Sequence, residues 1–195
     1  MSSKKQESIT ISGEEYFDII GEFVQDYNNR IISDDSIYLT LSLDKDKVLV
    51  RKFELELCII LIVITMRLYS IKHTSDRAQG YALVNILTKV GKSVFNFNEK
   101  EQEQFENLYS EKVEIYKQIA PEGKTSYDIR TTWLGFSRFL VSLFSDKEEE
   151  ENKELIQNLS KYIVEFADII SRLIASSRLK VSSAWAGKYE FVVKK

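Results

Sequence analysis

The chain is expected to fold as an all-α bundle of about six helices in one domain, built around a central buried helix over about residues 46–70. Three observations predict this. The stretch Leu57-Cys58-Ile59-Ile60-Leu61-Ile62-Val63-Ile64-Thr65-Met66 is apolar on every side, as no amphipathic surface helix would be. Glycine (7) and proline (1) are sparse, whereas sheet-rich domains need frequent turn punctuation. Over most of the remaining chain, apolar residues recur at intervals of three and four. With 195 residues and 44% apolar content, a single domain over 1–195 with one sizeable core is the natural expectation.

Residues 1–11 read as a flexible N-terminal tail. They carry lysines without an apolar run, so no secretory signal is expected. The first helix has a capping box in Ser12 and Glu15, with Ile11 and Tyr16 at the staple positions around it. Its apolar stripe is Tyr16, Ile20, Phe23, Val24, Tyr27 and Ile31. Glu14, Asp18, Glu22 and Asp26 line another side and read as a solvated face. Residues 36–43 alternate apolar and polar like a strand, and 189–193 are the one other good strand candidate. A minor two-stranded accessory of 36–43 with 189–193 is expected, with a short helix leading into the central one as the alternative.

The central helix should start near Asp46, where Leu49, Val50, Phe53, Leu57, Ile60 and Ile64 share a face. Glu56 and Arg67 bracket ten residues. That is about 15 Å of helix at ~1.5 Å per residue, against a hydrocarbon core of ~30 Å. A buried core helix is expected, and no membrane partner. Thr74 or Ser75 should cap a second buried helix over Asp76–Phe95. Gly80 and Gly91 lie on one face of it, where small residues would admit a close neighbour. Asn98 and Glu101 open a polar surface helix over Glu99–Ala120, with a narrow stripe of Phe105, Leu108, Tyr109, Tyr116 and Ile119.

Pro121-Glu122-Gly123-Lys124 is the clearest turn. Beyond it, Thr125 and Asp128 can cap an apolar helix over Ser126–Phe144, which contains Trp133, Phe136, Phe139, Leu140 and Leu143. Ser145 with Glu148 is a further capping box, opening a last helix over about Lys147–Lys180. The Glu148–Glu151 run would then complement the positive end of its dipole. Leu155, Leu159, Tyr162, Phe166, Ile169 and Leu173 make a coiled-coil-like stripe, compatible with packing inside the bundle or against another chain.

Net charge is −3 and the pI about 5.4, so there is no basic excess to hold a phosphate backbone; nucleic acid is not the expected partner. Cys58 is the lone cysteine and excludes an intrachain disulfide. Inside the apolar run it reads as a small buried hydrophobe, and with the absent signal it favours the cytoplasm. The glycines are too scattered for a phosphate-cradling loop. Asp44-Lys45-Asp46 begins like a calcium loop, but Val48 and Leu49 occupy the next ligand and glycine positions. One histidine, His73, excludes zinc sites built from several His or Cys ligands. No metal and no cofactor are expected.

Arg67-Leu68-Tyr69-Ser70-Ile71-Lys72-His73 places an arginine six positions before the histidine. The pattern resembles the Arg-x(4–6)-His signature of HEPN-family ribonucleases, over seven residues and with Leu68 where that family has a polar residue. The resemblance implies an all-helical dimer that cleaves RNA without metal, Arg67 and His73 handling the 2′-hydroxyl and the phosphate. Positions six apart face different ways on a straight helix, so this reading requires a break near Ser70. The other reading puts both residues at the exit of the buried helix, with His73 helping to cap its carbonyls.

Residues 182–195 form a C-terminal tail in which aromatic and basic residues mix. Trp185, Tyr189 and Phe191, with Arg178 nearby, suit a protein-interface hot spot. A tail folded over the bundle, with Trp185 covering apolar surface, is the plainer alternative. The function expected is a non-enzymatic helical interaction protein (a regulatory, adaptor or inhibitor subunit) that binds a larger protein or itself as a homo-oligomer. A metal-independent ribonuclease using Arg67 and His73 is the second reading, and a helical sensor holding a small apolar ligand is the third.

Overall fold

In a computed structural model, residues 8–43, 46–119, 126–181 and 189–194 are described. They form a mostly helical bundle closed at one end by a small antiparallel sheet. The elements run β1 (Ser8–Ser12), α1 (Gly13–Ile32), α2 (Asp35–Tyr38), α3 (Lys47–Lys72), α4 (Asp76–Ser93), α5 (Glu99–Ile119), α6 (Ser126–Ser142), α7 (Lys153–Ser176), β2 (Ser177–Val181) and β3 (Tyr189–Lys194).

α3 is the expected central helix. Asp46 caps it through a bond from the Val48 N–H, and the run Leu57–Thr65 is enclosed without interruption. α1, α4, α5, α6 and α7 all pack around it. The acidic residue that opens its apolar run is answered from the side. The Glu56 carboxylate accepts bonds from Lys112 and from the Tyr116 hydroxyl, both on α5. A half-buried carboxylate thereby ties the polar surface helix to the core. No helix among the described residues is long and apolar enough to cross a membrane.

The local signals were accurate for α1 and α5. Ser12 and Glu15 exchange both bonds of a capping box, and Asn98 with Glu101 does the same before α5. Ser75 takes the cap position of α4 without a side-chain bond. Of the expected α7 stripe, Leu155, Leu159 and Phe166 are buried while Tyr162, Ile169 and Leu173 are only partly covered; the buried face is completed instead by Ile163, Ile170 and Ile174, with α3 and α6 as the main neighbours.

Other expectations are corrected. Residues 36–43 do not form a strand. Asp34 caps the short helix α2, its Oδ1 accepting from the Ser36 N–H, and this local bond wins over period-two alternation. The last helix begins at Lys153 with Asn152 at its cap, not at Lys147, so the Glu148–Glu151 run lies in the turns before it. Two of those glutamates are matched by bases: Glu149 by Arg138 at 2.9 Å and Glu150 by Lys153 at 3.0 Å. The helix also stops at Ser176, and the chain turns there into β2. Gly80 is exposed with open space around it; Gly91 alone of the expected pair has a close neighbour, the Gln102 side chain of α5. The close approach of α1 to α4 occurs at Gly21, against the stem of Lys89. The turn at 121–124 and the caps proposed at Thr125 and Asp128 lie outside the described residues or side chains.

The sheet has strand order β1-β3-β2. β3 does use residues 189–193, but its partners are β1 and β2. Residues 8–11, expected in a flexible tail, are therefore an edge strand, and 189–194 are the central strand of the sheet.

Candidate functional site: the sheet end of the bundle

Register explains why the sheet docks. Ile11, Phe191 and Leu179 stand side by side across the three strands, as do Ile9, Val193 and Ser177. Thr10, Val192 and Arg178 form the alternate row. Because side chains alternate across a strand, the first two rows share one face. That face meets the bundle: Phe191 is fully buried, and Ile11, Leu179 and Val193 pack against the core.

The Phe191 ring stacks on Tyr16 with centroids 3.9 Å apart and meets Phe17 edge-on at 5.7 Å. Phe17 in turn meets Tyr69 and Tyr81, each at 5.8 Å, and Tyr81 lies 4.4 Å from Tyr189. Residues from α1, α3, α4 and β3 thus share one aromatic cluster. Tyr16 is bonded to Ser177 at 2.9 Å, and Ser177 donates to the Ile174 carbonyl at the end of α7. Burial pushes the Tyr16 hydroxyl up to about 12, with the Ser177 bond opposing.

Lys72, the last residue of α3, completes the junction. Its ammonium donates to the carbonyls of Ile174, Ala175 and Ser177, where α7 ends and β2 begins. Carbonyls at a helix C-terminus run out of intrahelical donors, and the negative end of the helix dipole favours a cation there. The terminus of α7 and the turn into β2 are therefore fixed from another helix.

Of the residues singled out in the sequence, the structure gathers Tyr189, Phe191 and His73 into this cluster. Phe191 is core, so its ring supports the fold and presents nothing to a partner. Tyr189 is half-buried, and Arg178 is exposed on the outer face. Trp185 lies outside the described residues. His73 lies 4.3 Å from Tyr69 and meets Phe191 edge-on at 6.2 Å. It is 9% exposed, and among the described residues its Nε2 has no hydrogen-bond partner. Burial, aided by the charge of Lys72, lowers its pKa below the usual imidazole value. α3 continues unbroken through Ser70 to Lys72, and His73 leaves the helical conformation as its C-cap, its N–H bonded to the Tyr69 carbonyl.

Sequence reasoning missed Ser8–Ser12, Lys72 and the Tyr16–Ser177 bond. The first carried a readable signal, strict alternation of Ile with Ser or Thr. The other two depend on contacts between residues more than a hundred positions apart.

Elsewhere, a groove between α1 and α4 is lined by Glu14, Phe17, Asp18, Asn85, Lys89 and Lys92. A depression of about 410 Å³ lies against Arg30, Asp34, Lys161, Tyr162 and Glu165. In it Arg30 pairs with Glu165, and Tyr162 donates to Asp34 at 2.8 Å. Both linings are dominated by charged and polar groups, whereas a pocket for an apolar ligand is mostly apolar. Comparison of the chain with protein-family models, curated proteins and solved structures returned no match.

Proposed function

We propose that this chain is a non-enzymatic interaction protein whose binding element is the sheet end of the bundle. One observation carries the reading: among the described residues, β1 is an edge strand that pairs with β3 on one side and with no strand on the other, and Ser8, Ile9, Thr10 and Ser12 are all exposed. An edge strand presents backbone N–H and C=O groups in a row, ready to accept another strand. Protecting devices are absent from Ser8-Ile9-Thr10-Ile11-Ser12, which has no charge, proline or glycine. β2, the other outer strand, carries Arg178 and Lys180. Ile9, 43% exposed, adds an apolar side chain beside that edge.

The partner class is protein, and the compartment is the cytoplasm, where the lone buried thiol Cys58 would persist reduced. The test is capture of partners by the tagged chain, comparing wild type with Ile9→Lys and with the control Val84→Lys on α4. A partner lost with Ile9→Lys and kept with Val84→Lys is the expected result. Equal capture by all three would remove the sheet edge from the account.

A further inference from the structure

We infer that the strand accepted by β1 is β1 of a second copy of this chain, paired antiparallel about a two-fold axis at Thr10. The inference rests on reading the sheet edge as the binding element and names its occupant. Ser8-Ile9-Thr10-Ile11-Ser12 reads the same in both directions. An antiparallel pair centred on Thr10 therefore sets Thr10 against Thr10, Ile9 against Ile11 and Ser8 against Ser12. Like meets like at every position, which is what an isologous two-fold interface requires. Residues of equal parity face each other in this register, so the outward backbone groups of one strand meet the outward groups of the other.

The faces also match. On the bundle side, the row Leu179–Phe191–Ile11 continues into the second copy's Ile9, and Ile9 continues into the second copy's Ile11. The exposed Ile9 gains an apolar neighbour, and the three-stranded sheets merge into one of six strands. On the outer side, Thr10 meets Thr10, a favourable cross-strand pair. Slipping the register by one residue would put each Ile on the polar face of its neighbour. The contact is short, below the ~1,200 Å² lower end of stable interfaces, so the dimer is expected to be reversible and concentration-dependent.

Position 10 sits on the axis, is exposed, and faces away from the core, so charge can be placed there without touching the bundle. The experiment is sedimentation of the full chain across a concentration series. Wild type is expected to pass from monomer to dimer as concentration rises. Thr10→Lys and Thr10→Glu are each expected to remain monomeric, because like charges would stand directly opposite one another. Their equimolar mixture is expected to regain the dimer, a rescue specific to this register. Circular dichroism melts of the variants check that each is folded. A wild type that stays monomeric throughout, a Thr10→Lys variant that dimerises like wild type, or folded variants whose mixture stays monomeric would each overturn the proposal. If wild type is monomeric yet captures a different protein in an Ile9-dependent way, self-pairing falls and the sheet-edge reading stands. Without Ile9-dependent capture, both fall.

Discussion

The middle of the bundle and its sheet end are stabilised by the same physics but specified differently. Around α3, most helices carry instructions of their own: side-chain caps at α1, α3 and α5, and apolar faces at three- and four-residue spacing. Neighbours in space are often neighbours in sequence. At the sheet end, three short strands come from residues 8–12, 177–181 and 189–194, and none has a partner nearby in the chain except β2 with β3. A short strand has no stability by itself. Its fate is decided by what the bundle offers it, here an aromatic floor of Tyr16, Phe17 and Tyr69 and an ammonium at the end of α7. The difference separates a region specified locally from one specified by closure of the whole chain.

The largest effect tests whether the two regions are energetically one. Ile60→Ala in α3 should cost about 2–5 kcal/mol, and Phe191→Ala in β3 about 3–5 kcal/mol, both in global unfolding by denaturant. Each side chain is fully buried in the same core. A Phe191→Ala protein with wild-type stability would make the sheet a loosely attached layer and break the comparison at its base.

A smaller effect is expected at Lys72. Lys72→Met keeps most of the stem but removes bonds to three carbonyls, for a loss of about 1.5–3 kcal/mol, the range for hydrogen bonds to a charged group. Amide exchange should accelerate first in β2 and the last turn of α7. Uniform acceleration across α3 would show that Lys72 serves the bundle rather than the junction.

The pH dependence sharpens the picture of His73. Its folded pKa lies below the ordinary value of 6.5 because the ring is buried. Between the two values the unfolded chain binds more protons, so stability rises with pH in that window. The contribution is complete above about pH 6.5 and is lost as pH falls toward the folded pKa. His73→Phe should flatten that part of a melting-temperature profile. An unchanged slope would mean that His73 is as free to protonate when folded as when unfolded. The smallest effect should come from Gly80→Ala, where open space and a helical backbone predict a gain of up to about 1 kcal/mol. A loss at Gly80 would mean that this face of α4 is covered.

The fold class, the central helix and two capping boxes were legible because each depends on residues within a turn or two of one another. Residues 36–43 misled because alternation is weak evidence without a partner, and the Asp34 cap carried more weight. The strand at 8–12 was hidden by its polar neighbourhood, though Ile9 and Ile11 alternate cleanly with Ser and Thr. At the candidate site, Tyr189, Phe191 and His73 were noticed for their chemistry and found together for a different reason, as floor and wall of one aromatic cluster. Because β3 is the central strand, deleting 184–195 would dismantle the sheet along with any tail contact. Point substitutions on the edge strand are the cleaner probe.

The central claim is that the inner strand of the sheet belongs to the core while its outer edge is a surface for another strand. Native-state hydrogen exchange at two protein concentrations tests it most directly. Amides of Leu57–Ile64 and of Phe191 are expected to exchange at the same slow rate in both samples, and β1 amides to be faster when dilute and to slow as concentration rises. Exchange of β1 that is independent of concentration, or Phe191 exchanging far faster than α3, would contradict it.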